Sequence, residues 1–124
     1  MMKFARIVFA VAGVWGFLIL TPFYFTFDLV GRTYPPPITH PDLYYGFIGV
    51  ALVWEQAFLT IATDPVRYRP LMLPAILEKL VYVGTMLILY ANGRTSPAQA
   101  AVAVPDFVLG MLFVAAFFRT RARD

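Results

Sequence analysis

Four ionisable side chains interrupt otherwise apolar stretches of this sequence: Glu55, Glu78, Lys79 and Asp106. Carboxylates and an amine inside hydrocarbon can pair and lock helices in register, relay protons or small solutes, or meet a polar group on a partner subunit or ligand. Each costs on the order of 2.5–3.5 kcal/mol at the centre of a membrane helix, so four in so short a chain require a common explanation. At the helical rise per residue, Glu55 lies roughly 12 Å from the near end of the second apolar stretch, and Glu78 and Lys79 roughly 12–14 Å into the third from the same side. Asp106 lies roughly 20 Å from the tail end of the fourth. These depths predict one layer near the bilayer centre, in which Lys79 is the single base and its long stem can snorkel toward a carboxylate.

Helical spacing gives each charge a face. Lys79 shares a stripe with Tyr82, Met86 and Tyr90, and Glu78 one with Tyr82 and Thr85. The stripe around Glu55 is apolar (Ile48, Ala51 or Leu52, Leu59, Ala62), so its carboxylate must find a partner on another helix, with Gln56 beside it. Asp106 shares a face with Val102, Gly110 and Phe113, and the Asp-x-x-x-Gly spacing admits close approach of another backbone. Pro105 should kink that helix. Three carboxyls and one ammonium carry a formal charge of −2, so either water reaches the layer or at least one carboxyl holds a proton. Tyr82 and Gln56 are the hydrogen-bonding partners within reach of a neutral Glu55 or Asp106. The expected layer is therefore Glu55, Gln56, Glu78, Lys79, Tyr82 and Asp106. Gly13 and Gly16 mark the first stretch as an uncharged packing helix outside it.

The elements that must position these residues follow from hydropathy. The chain of 124 residues is 60% hydrophobic and 14% charged, with a mean hydropathy of +0.73. Soluble domains average roughly 45–50% apolar and about 25% charged residues, so much of this surface must face lipid. Four nearly charge-free intervals predict helices over about 4–27, 41–62, 70–91 and 97–119, forming one all-α domain, an up-down antiparallel four-helix transmembrane bundle. The absence of alternation argues against barrel strands. The first helix has the charged start and apolar run of a secretory signal but ends in Thr21-Pro22 and aromatics, and reads as a retained anchor.

Basic residues set the orientation. Lys3, Arg6, Arg67, Arg69, Arg119, Arg121 and Arg123 fall on one side, and Arg32 and Arg94 on the other, which predicts a multi-pass protein of a bacterial inner (plasma) membrane with both termini cytoplasmic. The same dispersal over three small loops argues against nucleic acid and leaves the lipid bilayer as the first partner, with a second copy or a membrane-protein subunit as the next. In the outer loop from Asp28 to Asp42, Pro35–Pro37 fix an extended path and Thr39-His40-Pro41-Asp42 reads as a capping box with Thr39 at the N-cap. Tyr24, Phe25, Tyr34, Tyr44 and Tyr45 read as an aromatic belt at the outer interface. The cytoplasmic loop Asp64-Pro65-Val66-Arg67-Tyr68-Arg69-Pro70 reads as a stiff hairpin connection in which Asp64 pairs with Arg67 or Arg69, or in which the two arginines hold lipid phosphates.

Catalytic parts are missing: there is no cysteine, one histidine (His40), no nucleophile with an adjacent base and no phosphate-binding glycine loop. No catalytic residue, metal ligand or cofactor is therefore expected, and a membrane isomerase built on Glu55, Glu78 and Tyr82 is the one enzymatic reading left. At Trp54-Glu55-Gln56, at Asp64-Pro65-x-Arg67-Tyr68-Arg69-Pro70-Leu71-Met72, at Leu77-Glu78-Lys79-Leu80 and at Asp106-x-x-x-Gly110 followed by Phe117-Phe118-Arg119-Thr120-Arg121, the chain resembles a set of uncharacterised small bacterial four-helix integral membrane proteins. The resemblance covers most of the chain, implies the four-helix inner-membrane architecture and supplies no activity. Small multidrug transporters match in size and helix number but carry their essential carboxylate in the first helix, which here has none. DoxX-like four-helix proteins are a more distant comparison without a matching motif. The expected function is that of a small structural or accessory protein with a charge-paired layer, the alternative being a transporter or proton/ion pathway that uses the buried carboxylates as an oligomer. Reporter fusions placed after the tail and at Arg94 should report opposite sides of the membrane; a shared side overturns the topology.

Overall fold

The computed structural model describes residues 2–120, so Arg121 and Arg123 of the basic tail lie outside the described residues. The described chain is all-helical, with 82% helix and no strand. Four stretches of 23 residues (Lys3–Phe25, Pro41–Thr63, Arg69–Ala91 and Pro97–Arg119) are long and apolar enough to cross a membrane. At the helical rise each spans about 34 Å, slightly more than the hydrocarbon thickness. Large apolar side chains on their outer faces remain open, Leu18 and Val53 each at 69%, as lipid-facing positions require. The architecture is that of a multi-pass membrane protein built as a four-helix bundle.

Helix α1 runs over Met2–Leu20 and tightens into a 3-10 turn at Thr21–Phe25. The change falls where Pro22 has no N–H to continue the α-helical ladder. The connection between the first and second spans differs from the expected extended loop, because α2, Phe27–Thr33, occupies its first part. The second span, α3, is Pro41–Thr63. Thr39 does not cap it: the N-cap is His40, whose carbonyl accepts from Leu43 and Tyr44 at 3.1 Å each. Pro41 explains the shift, since the residue before a proline is driven out of the helical region and His40 cannot serve as a first helical residue.

A turn and a 3-10 segment, Arg69–Leu71, lead into α4, Met72–Ala91, and Pro74 sits within the first turn of α4 where a missing donor is tolerated. Helix α4 ends in a left-handed cap at Gly93 (φ 70°), with Arg94 N–H donating to Leu89 O at 2.8 Å and Gly93 N–H to Tyr90 O at 3.0 Å. The fourth span is divided. Helix α5, Pro97–Ala101, starts on a capping box between Ser96 and Gln99, and α6, Val104–Arg119, follows after a break at Val102-Ala103. The expected kink at Pro105 is thus a full interruption, because Pro105 has no N–H to offer the carbonyl of Ala101.

Helix α1 packs along α3 and against α6, and α4 packs along α6, whereas α3 and α4 barely touch although a short loop joins them. The closest packing lies toward the end that carries both termini. There Phe9 stacks on Phe113 with ring centroids 4.3 Å apart, and Phe58 meets Phe113 edge-on at 4.9 Å. Ala5, Ala12, Ala75 and Ala116 let the backbones close around these rings. At the same end the Arg69 guanidinium covers the Phe117 ring at 3.7 Å and donates to the Phe117 carbonyl at 3.1 Å. The opposite end is tied by Tyr44, whose hydroxyl donates to Phe23 O at 2.7 Å, and by stacked Tyr24, Phe27 and Tyr45.

Candidate functional site

Lys79 points from α4 into the bundle, 3% exposed, and its ammonium is surrounded by carboxylates from three helices. Nζ donates to Asp106 Oδ1 at 3.0 Å, and lies 3.7 Å from Glu78 Oε2 and 3.9 Å from Glu55 Oε1. The face of Phe58 closes the remaining side, with Nζ 5.2 Å from its centroid. An ammonium in hydrocarbon needs such a shell, because its hydration is gone and only paired charges and a ring face replace it.

Each partner is delivered by a local feature of its helix. Glu55 sits on the buried stripe of α3 with Ile48, Ala51, Phe58 and Ala62. Asp106 falls in the first turn of α6, just past the break, where the positive end of the helix dipole favours a carboxylate. Gly110, one turn further, lets α4 approach, since a Cβ there would lie 3.2 Å from Cβ of Lys79. Helix α1 also takes part: a Cβ on Gly16 would collide with the carboxyl group of Glu55, and one on Gly13 would lie 2.6 Å from the Leu59 side chain and 3.0 Å from the Glu55 carbonyl. The uncharged first helix therefore contributes space to the cluster rather than standing apart from it.

Gln56 does not join the layer; its side chain is exposed on the far face of α3, as the turn of one residue from buried Glu55 dictates. Tyr82 is half-buried against Phe47, ring centroids 6.3 Å apart. Among the described residues neither Glu55 Oε2 nor Glu78 Oε2 has a hydrogen-bond donor. In the loop between the second and third spans, Asp64 accepts from the backbone N–H of Arg67 at 3.2 Å and forms a turn, in place of the expected ion pair. Arg69 is committed to Phe117, Tyr68 packs on the core, and Arg67 remains exposed above the Tyr68 ring at 5.5 Å. Of the two arginines, only Arg67 keeps a free face for lipid phosphate.

A groove of about 1140 Å³ runs between α3 and α4 down to the cluster. Trp15, Phe47, Trp54 and Tyr82 line its walls, and Glu55, Glu78, Lys79 and Asp106 its polar part. Sequence reasoning missed Gly16, Phe58 and this groove. The pair Gly13 and Gly16 was the available signal for the first, whereas Phe58 looks like any apolar residue of a spanning helix.

Compared with known proteins, the chain matches no family model, no curated protein and no solved structure. Gly16→Ala should destabilise the protein, because its methyl displaces the Glu55 carboxyl. The penalty should fall by about 1–2 kcal/mol when Glu55→Ala is combined with it, a coupling readable in a double-mutant cycle of unfolding in detergent. Gly84→Ala, where a Cβ meets nothing within 4 Å, should be neutral or slightly stabilising. Equal losses at Gly16 and Gly84 would contradict the steric assignment.

Proposed function

We propose that this chain is a small structural or accessory protein of a bacterial inner membrane, with both termini cytoplasmic, whose Lys79-centred cluster fixes the register of α3, α4 and α6. The observation that carries this reading is a single ammonium within 4 Å of carboxylates from α3, α4 and α6. A one-residue slide of α3 or α6 against α4 moves its carboxylate by about 1.5 Å relative to Lys79 and rotates it by about 100°. Such a slide leaves a charge unpaired in hydrocarbon, so the cluster penalises every register but one. The dispersal of Lys and Arg over the two sides supports the orientation.

Lys79→Met should lower the melting temperature in detergent and cost about 3 kcal/mol or more, because it leaves buried carboxylates without their cation. Combining it with Asp106→Leu should recover part of that loss. An unchanged melting temperature for Lys79→Met would defeat the reading.

One observation favours a second reading, a proton or small-solute pathway: the groove between α3 and α4 reaches the cluster from the side. On that reading Glu55→Gln and Asp106→Asn should abolish pH-dependent flux into proteoliposomes that the parent protein supports. Flux equal to that of the parent protein would eliminate it.

A further inference from the structure

The cluster satisfies Lys79 but not itself. Three carboxyl groups surround one ammonium, a formal charge of −2 that a proton, water or a bound cation must offset in hydrocarbon. Glu55, with a side chain 3% exposed, keeps Oε2 without a hydrogen-bond donor among the described residues, and Glu78 Oε2 has only its ion contact with Lys79 at 3.7 Å. What the cluster shows to the groove is also unequal. The Lys79 side chain is 4% exposed, while Glu78 and Asp106 keep 22% and 27% of their surface, and both line the groove. The groove therefore presents carboxylate, not ammonium, to anything that enters it.

The groove selects the kind of cation. Among the described residues no group of three His, Cys, Asp or Glu side chains converges closely enough to hold a metal ion. Its walls are apolar and aromatic, so a hydrated inorganic ion would have to shed its water along them. An organic cation with an apolar body brings its own hydrocarbon, and the faces of Trp15, Phe47, Trp54 and Tyr82 are favourable neighbours for a delocalised positive charge. A volume of about 1140 Å³ is ample for a drug-sized molecule.

We propose that the groove between α3 and α4 is a binding site for a lipophilic organic cation, with its apolar body against Trp15, Phe47, Trp54 and Tyr82 and its charge facing Glu78 and Asp106. The site stands on this geometry whether or not the chain moves a solute, so loss of flux and loss of binding are separate results. It also leaves the register role of Lys79 in place, because the Lys79–Asp106 hydrogen bond persists beside the ligand.

The test uses the whole protein in nanodiscs of zwitterionic lipid, titrated with tetraphenylphosphonium and, separately, with the isosteric anion tetraphenylborate. Trp15 and Trp54 are the two tryptophans of the chain and both line the groove, so intrinsic fluorescence reports occupancy directly. The cation should give a saturable change and the anion only the linear change of partition into lipid. Glu78→Gln, which removes one groove-facing charge and spares the Lys79–Asp106 bond, should weaken the cation about tenfold. Gly46→Phe provides a variant that leaves the charges untouched: a Cβ at Gly46 meets nothing within 4 Å, and a benzyl group there fills the groove, so saturation should be lost while helical circular dichroism is retained. A linear response to the cation, equal saturation by the anion, or unchanged affinity in both variants overturns the proposal. So does a stable dimer by native mass spectrometry in which the cation no longer saturates, since a second copy then owns the groove.

Discussion

The ammonium of Lys79 in the middle of an apolar bundle is the constraint around which the other features are arranged. Left alone there it would cost a large share of a small protein's net stability, so its helix is favoured where carboxylates from other helices meet it. Asp106 reaches it because Pro105 interrupts the fourth span and starts a new helix at that depth. Glu55 reaches it because α1 presents Gly16 where any side chain would occupy the space of the carboxyl. Gly110 brings α6 against the stem of Lys79. Features that look like separate weaknesses of α1 and α6, a proline break and glycines in mid-membrane, are thus conditions for one ion cluster.

The cluster also marks a change in packing along the bundle axis. Toward the termini, alanines and the three rings of Phe9, Phe58 and Phe113 give close contact among all four spans. Phe58 belongs to both regions, since it meets Phe113 edge-on in that core and offers its face to the ammonium. Between α3 and α4, which barely touch, the groove opens beside the cluster. Dispersion contacts hold the first half, where shapes interdigitate, and electrostatics holds the junction. Helices in lipid gain nothing from burying apolar surface as such, so a separated seam costs little and can persist.

Much of this was legible in the sequence, for physical reasons. Hydrocarbon thickness fixes span length, so charge-free intervals revealed four spans, which the structure shows as four stretches of 23 residues. Intramembrane charge is expensive, so Glu55, Glu78, Lys79 and Asp106 stood out at once. Details that depend on which neighbour a helix meets were not legible. Gln56 and Glu55 are adjacent in sequence yet face lipid and core respectively, and only the choice of α1 as the neighbour of α3 decides which is which. Thr39 carried a capping pattern, but the stronger backbone restriction imposed by Pro41 moved the cap to His40. The capping box at Ser96-Pro97-Ala98-Gln99 is, by contrast, a local pattern that the sequence itself carries.

The numbers of the two signs in the cluster separate fixing the helices from balancing the charge. One ammonium suffices to define register, because each of three helices is referred to the same point. Two carboxylates would saturate that role with less electrostatic strain. The third adds negative charge without adding a helix, since Glu78 lies on α4 beside Lys79 itself. Glu78 is also one of the two carboxylates lining the groove, and its Oε2 lies 3.7 Å from the ammonium, beyond hydrogen-bond distance. A purely structural lock has no use for it. A site that must attract positive charge into an apolar groove does, and on that ground Glu78 is where holding the bundle and binding a ligand come apart.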